Sequence, residues 1–537
     1  MPIVDLRDIP AGETIAADLC IIGSGPAGAT ICRELDSPRL RIVVLESGGL
    51  ERSADADSLN EIESIGRPRV MDQWLVRNRM LGGSSNTWTG RCAPFDRIDY
   101  EARDWVPHSG WPIKAEDLEP YLNRTAPYLG LGVGSGFSDH SFWKLFGQEA
   151  YPSEIDANLL VPFFWQFSKD DANRFDYMRF SKSLRSSVRN ARVILNATVT
   201  NINTNPAGSA ATSVDVLGQD GTLRVVSAPR IVLCAGGIEN ARLLLASRRA
   251  CPAGLGNQRD LVGRFLMDHP RGRIGAFNVR NSEQLRTWLG VYNLRRNSDL
   301  YRFRHGLRLS TEYQRSNRLL NCAVWLNEAV TDDDPWNALS RLLRGRSAAL
   351  SRDVAFVASN LGLVLSGLNQ YFIKRNGLPR KLERLELECI VEQQPDPESR
   401  VTLSDRTDKF GVPISCINWK INEPEERTIR TTGRLVQSEF ERLSLNALSL
   451  DDWVMRDEGL PPAFTDIAHP TGTTRMSIDP AQGVVDLNSQ VHGVHGLFVA
   501  GSSTFPTSGH ANPTHMIVAT AIRLADILKR QIMDEAR

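Results

Sequence analysis

The sequence predicts an α/β fold, a Rossmann-like domain of parallel sheet and helices interleaved with an α+β domain of antiparallel sheet plus helices. Three observations predict it. Residues 18–46 read as strand, glycine turn, helix and strand in immediate succession. Residues 230–247 repeat strand, Gly-Gly and helix. Between about 276 and 460 the texture changes to alternating apolar-polar segments and helices, and the last 70 or so residues then return to the first type.

Each element follows from local pattern. The apolar run Asp18-Leu-Cys-Ile-Ile22 suits a strand buried on both faces, as in a parallel sheet. Gly23-Ser-Gly-Pro-Ala-Gly28 opens a helix, and Leu40-Arg-Ile-Val-Val-Leu45 is the second strand, ending at Glu46. The stretch 50–110 is rich in Gly, Ser and Asn, notably Leu81-Gly-Gly-Ser-Ser-Asn-Thr-Trp-Thr-Gly90, a composition that suits close approach by a ligand or a plain loop. Strands are expected at 193–202, 230–235, 385–391, 401–404 and 494–500. Helices are expected from Ile238 to Ser247, through most of Pro335 to Ile373, and from Asn512-Pro513 to about Ile532. No linker or repeat interrupts the chain. The division is 1–110, 190–275 and 465–537 for the nucleotide domain, with 111–189 and 276–464 forming the second.

Composition excludes several classes. The 537 residues hold 41% hydrophobic and 23% charged residues, an ordinary globular balance, so the chain is neither disordered nor fibrous. Sixty-three basic and sixty-three acidic residues cancel, which argues against nucleic acid as the main partner. Eight cysteines form no C-x-x-C pair, so neither a zinc site nor a redox dithiol is expected; they read as scattered buried thiols. The N-terminus lacks the basic and apolar regions of a secretory signal, and no apolar run reaches the about 18 residues of a membrane span. The reading is a cytoplasmic protein.

The glycines at 23, 25 and 28 have separate duties: a tight turn, approach of a pyrophosphate to the backbone, and close helix–strand packing. The helix N-terminus favours the phosphate charge. Glu46, at the end of the second strand, stands where a carboxylate accepts from an adenosine ribose. This fingerprint leaves FAD and NAD open. Five of nine histidines lie in the last 70 residues: His469, His492, His495, His510 and His515. Histidine is the usual proton carrier near neutral pH, and a cluster near a cofactor draws attention to that use. Asn512-Pro513 is a standard helix start, and an Asn there can also donate from its amide to a substrate hydroxyl.

Taken together, these motifs resemble the glucose–methanol–choline (GMC) oxidoreductase family. Four stretches carry the resemblance: Gly23–Gly28 with Glu46, Gly82-Gly-Ser-Ser-Asn-Thr-Trp88, Ala235-Gly236-Gly237 with Glu239-Asn240, and the run from His469 to Asn512. Pro395–Leu403 looks like the family's entry into its substrate domain. Phe265-Leu-Met-Asp-His-Pro270 and His469-Pro-Thr-Gly-Thr-Thr-Arg-Met476 are similar to the sugar-oxidising branch, the pyranose oxidases, glycoside 3-oxidases and aminoglycoside oxidases.

The resemblance implies FAD as cofactor. It implies cofactor contacts from Gly23, Gly25, Pro26, Ala27, Gly28, Glu46, Ser47, Gly82, Gly83, Ser84, Asn86, Thr87, Trp88, Val199, Ala235, Gly236, Gly501, Ser502, Pro513 and Thr514. It makes His469 the catalytic base and Asn512 its partner. His510, two residues before Asn512, is expected to face the substrate pocket. Some pyranose oxidases hold flavin covalently through a histidine where this chain has Thr87, so non-covalent FAD is expected. The implied reaction oxidises a secondary alcohol on a sugar or glycoside to a ketone, with hydride to flavin N5 and the proton to His469. Electrons then go to O2, a quinone or a redox protein. Alternatives are a dehydrogenase for another alcohol (a polyol, a sterol or an aminoglycoside primary alcohol) and a non-catalytic flavoprotein. No metal is implied, membrane association is not expected, and a homo-oligomer is open. His269, before Pro270, reads as a turn residue, and His515 as structural.

Overall fold

The computed structural model describes residues 2–535 apart from 70–71, 133–136, 138, 147–153, 171–175, 281, 297–298, 344–346, 372–376 and 446. Apolar runs become the centre of a six-stranded parallel sheet. Its order is Ile3–Asp5, Arg192–Leu195, Ile42–Leu45, Leu19–Ile22, Ile231–Leu233 and Leu497–Val499. Every residue of the four strands from Ile42–Leu45 to Leu497–Val499 is buried, which is why none alternates: helices cover both faces. The helices Pro26–Leu35 and Thr514–Glu535 pack on each other beside this sheet, bringing the two ends of the chain together.

A second, eight-stranded sheet is antiparallel. It includes Arg271–Phe277, Leu382–Val391, Cys322–Val330, Asp299–Leu309 and Leu160–Phe167, with the two-residue strand Arg91–Cys92 at its edge. That edge strand comes from the Gly-rich stretch assigned by sequence to the nucleotide domain. It pairs with Leu160–Phe167 through Arg91 opposite Phe167. The two sheets are therefore stitched together by short segments, which matters for the site below.

The expected strand at 193–202 is two strands. Arg192–Leu195 belongs to the parallel sheet and Thr198–Thr204 to a four-stranded sheet beside it. Asn196, at φ 53°, turns the chain between them, and asparagine tolerates that left-handed conformation better than most residues. The helical region at 335–373 is three helices, Pro335–Leu343, Leu350–Ala358 and Leu361–Asn369. Residues 344–346 and 372–373 of that expected run lie outside the described residues. Leu343, Leu350, Leu361 and Leu365 on these helices are more than half exposed, so this layer is only partly packed on the core. All eight cysteines are free, and seven are buried. Among the described residues no helix is long and apolar enough to cross a membrane.

Candidate active site

The parallel sheet aims three helix N-termini at one cleft. Gly25 and Pro26, Ala235 to Gly237, and Pro513 with Thr514 all line the same cavity of about 440 Å³. Each N-terminus presents unpaired N–H groups and a partial positive charge, so their convergence builds a site for a polyanion. Glu46 closes one end, buried, accepting from Ser24 N at 3.2 Å, Ser24 Oγ at 2.5 Å and Gly48 N at 3.1 Å. Burial pushes its carboxyl above the ordinary range, against the pull of those donors.

Two glycines make room. Gly236 has φ 88° and open space where a Cβ would stand, inside the cleft. Gly83 has φ 56°, and a Cβ there would come within 3.0 Å of Gly25 Cα, so the two backbone segments flanking the cleft close on each other only without side chains. The residues fit a dinucleotide such as FAD: a pyrophosphate for the helix ends, a ribose for Glu46 and a planar ring system for the slot leading to His469.

At the far end of the cleft stands a chain of side chains. His469 and Asn512 both line it, and Asn512 Nδ2 lies 3.4 Å from His469 Nε2. The other ring nitrogen, His469 Nδ1, is 2.9 Å from His269 Nδ1. His269 Nε2 faces only carbonyl oxygens, Gly509 O at 2.9 Å and Ser508 O at 3.3 Å. Carbonyls accept, so His269 carries its proton on Nε2 and its Nδ1 is the acceptor. His469 must then donate from Nδ1, which leaves the Nε2 lone pair facing the cleft beside the Asn512 amide. Burial and the neighbouring His269 hold His469 down to about 3, opposed in part by Asp268. Burial also lowers His269. The pair is neutral at physiological pH, and His469 Nε2 is a free base.

A buried ion group fixes this pair. Asp268 accepts from the His469 backbone N–H through both oxygens at 3.0 Å and from Arg69 Nη2 at 2.5 Å. Arg69 also meets Asp466 at 3.0 Å. All three side chains are almost wholly buried. Ala468, just before His469, holds φ 59°, a left-handed conformation that costs a non-glycine residue about 1–2 kcal/mol.

Of the residues expected at the cofactor, Gly23, Gly25, Pro26, Glu46, Ser47, Gly83, Ser84, Thr87, Trp88, Val199, Ala235, Gly236, Ser502, Pro513 and Thr514 line the cleft. Ala27, Gly28, Gly82, Asn86 and Gly501 do not, and each has a packing reason. Gly28 passes so close to Gly23 that a Cβ would meet its carbonyl oxygen at 2.0 Å. Gly82, at φ 89°, abuts Ser181. Asn86 Nδ2 donates to Leu81 O and Gly83 O, holding the loop. Gly501 turns at φ 106°, with Ala27 Cβ 4.0 Å from where its own Cβ would stand. Ser503 is likewise structural, since its Oγ accepts from Asn240. His510, expected to face substrate, is fully buried off the cleft, packed on Phe163 with centroids 4.5 Å apart. His515 is buried with Nε2 2.8 Å from Thr125 Oγ1.

Sequence reasoning missed three features. From sequence, His269 reads only as the residue before proline in the Phe265–Pro270 motif. Arg77 and Arg79, which line the cleft, both pair with Glu239. Arg91 lines it too, and no motif flagged it.

A family model described as GMC oxidoreductase matches residues 395–521, and its N-terminal counterpart matches 180–271. The 2-methyl-1,2-propanediol dehydrogenase of Mycolicibacterium austroafricanum is 24% identical, over 96% of each chain. A C-glycoside 3-oxidase of Arthrobacter globiformis is 32% identical over 29% of this chain and 28% of its own. Among solved structures, a formate oxidase superposes with TM-score 0.57 at 18% identity, covering 98% of this chain and all of the other.

Proposed function

This chain belongs to the GMC oxidoreductase family and is an FAD-dependent oxidoreductase acting on alcohols, and on that premise we propose that it oxidises a secondary alcohol of a sugar or glycoside to a ketone. The observation that carries the proposal is the His269–His469–Asn512 chain, which leaves one unprotonated imidazole nitrogen and one amide donor at the cleft. The likeness to a C-glycoside 3-oxidase supports the sugar class.

Bound FAD would supply the acceptor for the hydride leaving the carbinol carbon. His469 Nε2 takes the hydroxyl proton. Asn512 Nδ2 donates to the same oxygen as negative charge gathers there. His269 holds the proton of His469 on Nδ1, so that Nε2 never competes as a donor. Asp268 fixes the His469 backbone, and the three helix N-termini favour negative charge within the cleft. A base so placed contributes about 100- to 10,000-fold. With Thr87 at the cleft, the cofactor is held non-covalently. We assign residues 1–110, 190–275 and 465–537 to cofactor binding, apart from the edge strand Arg91–Cys92 that joins the antiparallel sheet, and the remainder to substrate; we propose a cytoplasmic protein with O2, a quinone or a redox protein as acceptor.

The test incubates the FAD-loaded enzyme with glycosides, monosaccharides, polyols and sterols and identifies products by NMR. A keto-sugar is the expected product. Turnover confined to sterols or short diols would overturn the sugar assignment. Peroxide measured against dye reduction separates oxidase from dehydrogenase.

A further inference from the structure

Resting on that reading, we propose that the sugar or glycoside substrate carries an oxyanion, a carboxylate or a phosphate, received by Arg91 and a basic antechamber beyond it. The antechamber is a second cavity of about 730 Å³. Thr89 and Arg91 line both it and the cofactor cleft, so the two are adjoining rooms with Arg91 in the shared wall. Five arginines line the antechamber against two glutamates.

The charges are only partly cancelled internally. Arg286 is paired with Glu328 and Arg380 with Asp334. Arg304 donates to the Leu326 carbonyl, and its Nε is buried without a partner. Arg302 is exposed and, like Arg91, makes no ion pair among the described residues. Arg91 is the sharpest case. Its Nε is buried without a partner. What holds it is aromatic: its guanidinium lies 5.3 Å from the Trp325 ring and 5.9 Å from the Trp165 ring, both fully buried. Aromatic faces steady a cation without neutralising it.

Arg91 is half-buried, with no anion in contact and Glu388 acting only from a distance; a cation so placed is costly, and a ligand anion would complete it. Burial, then the charges of Arg304 and Arg271, hold the Arg91 guanidinium below its ordinary value, opposed in part by Glu388, and an anion arriving in contact would favour the charged form further. His469 is lowered mainly by burial and His269, and in smaller part by Arg271 and Arg91. Arg91 is therefore within Coulomb reach of the base. Guanidinium matches carboxylate and phosphate oxygens in bidentate fashion. A substrate anchored there by its anion would extend its hydroxyls toward His469. Arg302, at the solvent end, would draw the anion inward.

The test mixes the FAD-loaded enzyme anaerobically with matched pairs: methyl β-glucuronide against methyl β-glucoside, and glucose 6-phosphate against glucose. Flavin bleaching gives a rate and a half-saturation concentration for each. The anionic member of at least one pair should saturate at a concentration roughly ten- to a hundredfold lower, the scale of a hydrogen bond to a charged group. The pair that shows it separates carboxylate from phosphate. Added NaCl should erode the advantage. Arg91→Met should remove it, and Arg91→Lys should keep part of it. Equal or better use of the neutral members by the unaltered enzyme overturns the inference and spares the sugar reading. So does a uniform loss on both members in Arg91→Met, which would assign Arg91 to the cofactor. If no member of either pair bleaches the flavin, the sugar reading fails instead. The anion site then stands only if glucuronate or inorganic phosphate shifts the bound-flavin spectrum saturably in the unaltered enzyme and not in Arg91→Met.

Discussion

Replacing His269 by leucine removes the acceptor that holds the His469 proton on Nδ1, at 2.9 Å. Leucine fills similar volume and accepts nothing. In the variant, the productive tautomer leaves a buried N–H without a partner, at a cost of about 1–3 kcal/mol. The opposite tautomer places its proton on Nε2, where the Asn512 amide can turn to accept it at 3.4 Å. The productive form is thereby reduced by about 5- to 150-fold, and flavin reduction should slow by the same factor, since only that form presents a base. Binding of FAD should be unchanged, because His269 is fully buried and lies off the cleft. Anaerobic stopped-flow bleaching by the best glycoside reads the rate, and flavin content reads the binding. His269→Gln, whose amide oxygen can accept from Nδ1, should recover part of the loss. A leucine variant that is folded, flavin-loaded and bleached at the original rate would refute the proton-placing role.

Other consequences follow from the same geometry. Arg69→Met removes the guanidinium from the buried Asp268 carboxylate and should cost about 3–5 kcal/mol in denaturant unfolding; a loss under about 1 kcal/mol would show that water solvates that charge. Histidines 305, 510 and 515 are lowered to about 4 and His469 to about 3, all chiefly by burial. Their folded values lie below the unfolded one near 6.5, so the unfolded chain binds more protons in acid and stability should fall as pH drops from about 6.5 toward 4; melting temperatures flat across that window would contradict it. For the same reason the rate of flavin reduction should show no limb near pH 6.5, and a clear one there would mean that His469 titrates normally. Acid precipitation should release the flavin from the polypeptide, and colour retained in the pellet would contradict the non-covalent assignment.

The nucleotide half was legible because its signals are local. Gly23 to Glu46 carries turn, helix and strand within one stretch, and the buried strands announce themselves as unbroken apolar runs. The antiparallel half was legible only as texture, since the pairing of Arg91–Cys92 with Leu160–Phe167, or of Cys322–Val330 with Leu382–Val391, is set by contacts distant in sequence. Asn196 shows how one left-handed residue divides what reads as a single strand. In the site, His469 and Asn512 stood out by their motifs. His269 is 200 residues from the ring it touches, and its Phe265–Pro270 motif marks the segment without marking that contact. His510 was drawn toward the cleft by lying two residues from Asn512. The chain turns at Gly509, φ 54°, and the ring packs on Phe163 instead.

The central claim is that His469 Nε2 receives the proton of an alcohol oxidised at bound flavin. Anaerobic mixing of the unaltered enzyme and His469→Ala with the same glycoside tests it most directly. Both should carry flavin, and the variant should bleach about 100- to 10,000-fold more slowly. Equal bleaching rates in the two proteins would contradict the account.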